Sequence, residues 1–87
     1  MKESLTYNTE WNAFQKALYY EKHGEWQKAH NLVDGVAGDS AAHIHAYLHR
    51  KEGDQWNAEY WYMRAGRSVC RDSFDIEWQA LWLEYGN

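Results

Sequence analysis

Apolar residues recur every three or four positions along most of the chain, and this spacing places side chains on one face of an α-helix. Glycine and Asx residues separate five such segments, and the chain contains no proline. No segment shows a sustained alternation of apolar and polar residues, so we predict an all-α fold without a sheet. The predicted helices cover about residues 10–23, 25–36, 40–52, 55–66 and 73–85.

Glycines and small polar residues mark where these helices begin and end. Thr9 is the predicted N-cap of the first helix, and Gly24 its end. Gly53 and Asp54 predict a tight joint at which the third helix stops and the fourth is capped. The remaining N-cap candidates are Asp39 or Ser40 for the third helix and Asp72 or Ser73 for the fifth.

The chain contains an internal repeat, which appears when the sequence is shifted against itself by about 29 residues. The shift aligns Ala17 with Ala46, Lys22 with Lys51, Gly24 with Gly53, Glu25 with Asp54, and Ala29 with Ala58. Small residues let paired helices approach closely, and the glycine permits the sharp turn between them. We therefore expect one domain over 1–87, with helical hairpins at 10–37 and 40–66 that stack, and a capping helix at 73–85.

The segment 53–66, GDQWNAEYWYMRAG, resembles the second half of a tetratricopeptide or Sel1-like repeat, with its glycine, acid, alanine and aromatic order. The segment 17–24, together with Trp26 and Ala29, is similar to the first repeat. The block 45–54 is also similar to a group of small bacterial proteins for which we know no activity. The resemblance covers about residues 10–66 and implies a fold of two tetratricopeptide-like hairpins. Two repeats are fewer than the three or so of a usual solenoid, so the fifth helix is expected to act as a cap or a dimer contact.

Composition favours a small cytoplasmic domain. The chain has 87 residues, of which 45% are hydrophobic and 17% aromatic, and Cys70 is its only cysteine, so its core must form without an internal disulfide. No apolar run is long enough to span a bilayer, and the N-terminus lacks the apolar core of a signal peptide. The net charge of −4 argues against duplex nucleic acid as a partner. The second half is nevertheless rich in cations, which leaves a local anion site open: Arg50, Lys51, Arg64, Arg67 and Arg71.

Two histidines are the least expected residues of the repeat. The repeat family usually has a leucine and an aromatic residue where the second unit has His45 and His49. Their spacing of four places both imidazoles on one face of the third helix. They are interpreted first as buried structural residues packed against the fourth helix, and otherwise as part of a ligand or anion pocket. A metal site would need a third or fourth ligand, so we assign neither a metal nor a cofactor.

A polar and aromatic set on the fourth helix supplies the other candidate ligand-binding residues. Asn57, Trp61 and Arg64 lie at i, i+4 and i+7, so they line one flank of the helix. An amide, an indole and a guanidinium could together bind a carboxylate, a phosphate or a peptide backbone. The alternative is structural: Asn57 completes a cap, Trp61 packs between the units, and Arg64 sits near a helix C-terminus.

Nothing in the sequence resembles a nucleophile elbow, a phosphate-binding loop or paired catalytic carboxylates, so we assign no catalytic residue. We expect a non-enzymatic module that binds a protein or peptide, either in the groove between the first and third helices or on the face around Trp61. The alternative is a small-molecule, anion or metal-binding protein using the candidates His45, His49, Asn57, Trp61 and Arg64. Trp78 and Trp82 are expected in the core, and the chain is expected to be a monomer or a homodimer through its last helix.

Overall fold

The computed structural model describes residues 6–86. Its helices are α1 (Ala13–Lys22), α2 (Trp26–Val33), α3 (Asp39–Lys51), α4 (Gln55–Ala65) and α5 (Phe74–Tyr85). Every regular element in this part of the chain is helical, which confirms the predicted all-α fold. Among the residues described, no helix combines the length and the apolar character that crossing a bilayer requires.

The first helix begins later than the sequence predicted, and Thr9 is not its N-cap. The cap is Asn12, whose side chain accepts a hydrogen bond from the Gln15 backbone N–H at 2.8 Å. The Gln15 side chain accepts in return from the Asn12 backbone N–H at 3.0 Å. This reciprocal capping box satisfies two amide groups that would otherwise lack a partner, which explains why the helix begins at Ala13.

The caps of α4 and α5 are those that the sequence predicts. Asp54 caps α4 by accepting from the Asn57 backbone N–H at 3.2 Å, and Ser73 caps α5 by accepting from Ile76. At α3 the N-cap is Gly38, so Asp39 is the first helical residue and not the cap. The helix α2 is shorter than predicted and ends at Val33, because the next residue is already extended.

The helices form two antiparallel hairpins that pack against each other. The helix α1 packs against α2, α3 packs against α4, and the hairpins meet where α3 packs against α2 and α1. The alanines that the repeat aligns lie at these contacts, and all are 0% exposed: Ala17, Ala29, Ala46 and Ala58. The four alanines are thus buried, as the repeat predicts.

The last helix, α5, packs against α1 and α3. Trp78 is buried there, and its indole N–H donates to the Leu18 carbonyl of α1 at 2.9 Å. The Trp82 ring stacks on Trp78 with 5.3 Å between ring centres. The groove between α1 and α3, which the sequence offered as one binding surface, is therefore occupied by α5.

Candidate functional site

Three histidines from two helices meet at the contact between the hairpins. His45 and His49 project from α3, as their spacing predicts, and His30 of α2 joins them. The Nε2 atoms of His30 and His45 are 2.8 Å apart. One ring nitrogen from each residue lies within 4.8 Å of those of the other two. We call these three residues the histidine cluster.

Two tryptophans fix the orientation of the cluster. Trp61 of α4 stacks on His45 with 3.9 Å between ring centres and 14° between planes. Trp26 stacks on His30 at 4.9 Å and 13°. The Trp26 indole N–H donates to the Leu48 carbonyl at 2.7 Å, which holds that ring in place. The imidazoles therefore lie between aromatic walls that restrict their rotation.

The protonation of the cluster follows from its burial. Burial, and then the neighbouring His30 and His49, lower the pKa of His45 to about 4, while Asp34 opposes them. At neutral pH His45 is consequently uncharged. The Nε2–Nε2 contact requires one of the two rings to donate and the other to accept, because a neutral imidazole carries one N–H and one bare nitrogen.

A carboxylate orients the third ring. His49 Nδ1 lies 2.8 Å from Oε2 of Glu52, one turn further along. An ionised carboxylate only accepts hydrogen bonds, so the Nδ1 of His49 carries the proton in this contact. When the ring is neutral, the Nε2 of His49 is then the bare nitrogen and is available to a ligand.

The other candidate residues divide between structural and peripheral positions. The Asn57 side-chain amide donates to Asp54 Oδ2 at 2.7 Å and lowers the pKa of that carboxyl, so Asn57 completes a cap. Arg64 lies over the Trp61 ring at 5.5 Å and donates to the Tyr60 hydroxyl. Of the five predicted residues, the structure brings His45, His49 and Trp61 together, and it leaves Asn57 in the cap.

Several cations of the second half are paired within the chain. Lys51 contacts the buried Glu21 at 2.5 Å. Arg67 contacts Glu84, and this hydrogen bond raises the pKa of the guanidinium and lowers that of the carboxyl. Lys51 and Arg67, two of the cations that the sequence suggested for an anion site, are therefore each paired with a carboxylate of the chain.

A second distinctive surface is the outer face of α4, which we define as Gln55, Trp56, Glu59, Tyr60 and Met63. The backbone of α4 packs against α3 alone among the described helices. Trp56 is 76% exposed and Met63 69% exposed. Together with Glu59 and Tyr60, these side chains line a shallow pocket of about 260 Å³.

Comparisons with protein-family models, curated proteins and solved structures found no match to this chain. The function of its surfaces is therefore inferred from their geometry. The sequence interpretation missed His30 and Trp26, although a signal for them was present. They are four residues apart on α2, as His45 and His49 are on α3, so each pair shares one helical face.

Proposed function

We propose that the chain is a non-enzymatic, cytoplasmic helical-repeat module of tetratricopeptide-like type whose outer face of α4 binds one amphipathic helix of a partner protein. The exposure of Trp56 and Met63, on a helix whose backbone packs against α3 alone among the described helices, carries this proposal. Large apolar side chains grouped on one uncovered face are typical of protein-binding surfaces.

The position of α4 in the repeat supports a helix as the occupant. The first-unit counterpart of α4 is α2, which contacts α3 through Trp26 and His30 among others. The shift of about 29 residues places Gln55 and Glu59 at those positions on α4, and both are exposed. On α2 this face is covered by α3, whereas the equivalent face of α4 is exposed. A partner helix fits on that face as a further element of the stack.

The side chains of this face indicate which kind of partner helix it would bind. Trp56, Tyr60 and Met63 are spaced i, i+4 and i+7, a stripe that matches the apolar stripe of one facing helix. Tryptophan and tyrosine are frequent binding hot spots, and methionine adapts to irregular surfaces. Glu59 is within the same pocket and accepts a hydrogen bond from Gln55 at 3.3 Å. We expect a lysine or arginine beside the partner's apolar stripe to meet this carboxylate.

A site-specific crosslink tests the proposal. A photoreactive amino acid replaces Met63 in one variant and Gln27 in a second, since Gln27 is the exposed repeat counterpart of Trp56 on α2. The partner crosslinked in cells from position 63 is then purified and titrated against the wild type and Trp56→Ala. We expect binding to weaken by about 30-fold, the effect of losing a hot spot worth about 2 kcal/mol.

Trp56→Ala should leave the melting temperature unchanged, because most of the Trp56 side chain contacts solvent. A partner that crosslinks equally from position 27, or that binds Trp56→Ala as tightly as the wild type, would contradict the proposal. Crosslinks that join two copies of the chain would likewise contradict it and favour a homodimer.

A further inference from the structure

The histidine cluster joins the two hairpins, with His30 on α2 and His45 and His49 on α3. We propose that it binds one divalent transition-metal ion of the class that prefers imidazole ligands, for which Zn²⁺ is the probe, through one nitrogen of each ring. The ion would tie α2 to α3. This inference goes beyond partner binding, because none of the three histidines belongs to the outer face of α4.

The distances are close to those of a metal site. Zinc bonds imidazole nitrogen at about 2.0–2.1 Å, so two nitrogens on a tetrahedral ion lie about 3.3 Å apart. His30 and His45 have Nε2 atoms 2.8 Å apart, and these need to separate by about 0.5 Å. The ligand nitrogen of His49 is within 4.8 Å of both and needs to approach by at most about 1.5 Å.

The protons of the cluster also suit a metal. Metal ligation requires a bare nitrogen, and each neutral imidazole offers one. The hydrogen bond between His30 and His45 is exchanged for two bonds to the ion when both rings carry their proton on Nδ1.

The surroundings resemble the outer shell of a histidine–metal site. Metal-bound histidines usually donate their other N–H to a carboxylate or carbonyl, which fixes the ring and strengthens the ligand. His49 makes this contact with Glu52 through Nδ1 at 2.8 Å. The stacks of Trp61 on His45 and of Trp26 on His30 restrain the other two rings before any ion arrives.

The ligand set indicates the type of ion. Three imidazoles suit zinc, copper or nickel, whereas magnesium and calcium prefer oxygen ligands. Within the described part of the chain, the group that converges at this point contains three residues. Structural zinc sites generally have four protein ligands, so a fourth position here would go to water or to a ligand from solution.

A neighbouring group offers a competing position for the ion. His49, Glu52 and Asp54 also place ligand atoms within 4.8 Å of one another. Asp54, however, is already bound by the Asn57 backbone and side chain, and Glu52 by His49. An ion there would have to displace the cap of α4, so the histidine cluster is the favoured position.

A competition titration tests the proposal. Metal-free protein is titrated with Zn²⁺ against a chromophoric chelator, for the wild type, His30→Ala and His49→Ala, with His23→Ala as the control because His23 is exposed outside the cluster. We expect one ion per chain, a loss of at least about 100-fold in affinity for His30→Ala and His49→Ala, and no change for His23→Ala. Neither side chain is fully buried, so these variants should fold, which circular dichroism of the metal-free proteins checks.

Histidine ¹H–¹⁵N spectra give a second readout that packing alone would not change. Zinc should shift the Nε2 signals of the three cluster histidines and fix each ring in the Nδ1–H form. Equal affinity of the wild type and His30→Ala, or an equal loss in His23→Ala, would overturn the proposal. So would a loss in Asp54→Asn without a loss in His30→Ala, because the ion would then lie in the neighbouring group.

Discussion

The phenol of Tyr47 donates a hydrogen bond to Oε1 of Glu21 across 3.0 Å, joining α3 to α1 inside the core. Lys51, one turn further along α3, contacts the other carboxylate oxygen at 2.5 Å. Burial, and then the Glu21 charge, raise the pKa of Tyr47 far above its usual range. A charge buried this deeply is tolerated because both of its oxygens are bound.

This arrangement predicts that replacing Lys51 lowers the free energy of unfolding more than replacing Glu21. The Glu21 side chain is 3% exposed and that of Lys51 37%, so only Lys51 can reach water when its partner is removed. Lys51→Met leaves a buried carboxylate without its cation and should lower the free energy of unfolding by about 3 kcal/mol. Glu21→Gln retains an acceptor for Tyr47 and should cost only about 1–2 kcal/mol. Urea denaturation measures both, and the reverse order would contradict the assignment.

A second buried carboxylate, Glu77 of α5, is bound in the same manner. Tyr62 donates to one of its oxygens at 2.5 Å, and Arg50 to the other at 2.8 Å. The second terminal nitrogen of Arg50 donates to the Asp72 carbonyl. The guanidinium therefore ties α5 and the segment before it to α3.

Arg50→Lys should separate the role of charge from that of geometry. Lysine keeps the charge near Glu77, but a single ammonium group cannot reproduce the planar fork that also reaches the Asp72 carbonyl. We expect a loss of about 1–2 kcal/mol in unfolding free energy. Arg64→Lys is the matched control, since Arg64 is exposed and its hydrogen bond goes to the Tyr60 hydroxyl, and should change stability by less than about 0.5 kcal/mol. Equal losses in the two variants would contradict this role.

Most of the correctly predicted features are local ones. The Gly53–Asp54 joint and the alanine pairs are specified within a few residues or by the repeat itself, so the sequence was sufficient for them. The Asn12–Gln15 capping box is also a local feature, although the cap was predicted at Thr9. It could have been recognised from the spacing of its two residues.

The missed features depend on contacts between distant segments. Glu21 is buried because of Tyr47 and Lys51, which lie 26 and 30 residues later, and the shift of the repeat aligns Glu21 with Arg50 and not with another acid. Likewise, the contact of His30 with His45 depends on how one hairpin packs on the other. Periodicity fixes which face a residue occupies, but it does not fix what that face meets.

Protonation of His43 should make the stability of the fold depend on pH. Its Nδ1 lies 2.7 Å from the Tyr85 hydroxyl, between α3 and α5. Burial, and then the charge of Arg67, lower the pKa of His43 to about 4, while Glu84 opposes them. The ordinary value is 6.5, so between pH 6.5 and 4 the unfolded chain binds more protons. Stability should therefore fall as the pH is lowered through this range.

His43→Asn should make this part of the stability profile shallower, because asparagine does not titrate. His45, which faces His30, His49 and Asp34, has its pKa lowered in the same direction and should maintain the remaining slope. Denaturation is measured between pH 4 and 7 in the presence of a chelator, so that a metal ion does not contribute. An unchanged slope in His43→Asn would show that its ring is not buried in the uncharged form.

The joint between α3 and α4 should tolerate asparagine better than alanine at Gly53. This residue has φ = +88°, a conformation in which an L side chain is strained, and an added Cβ would meet no atom within 4 Å. The cost of Gly53→Ala is thus purely a backbone cost, about 1–2 kcal/mol, which thermal denaturation detects as a lower melting temperature. Gly53→Asn should lose less, since asparagine enters this region more readily. Gly24 has φ = +80° in the equivalent joint between α1 and α2, so Gly24→Ala should lose a similar amount. A Gly53→Ala variant as stable as the wild type would contradict the positive φ of Gly53.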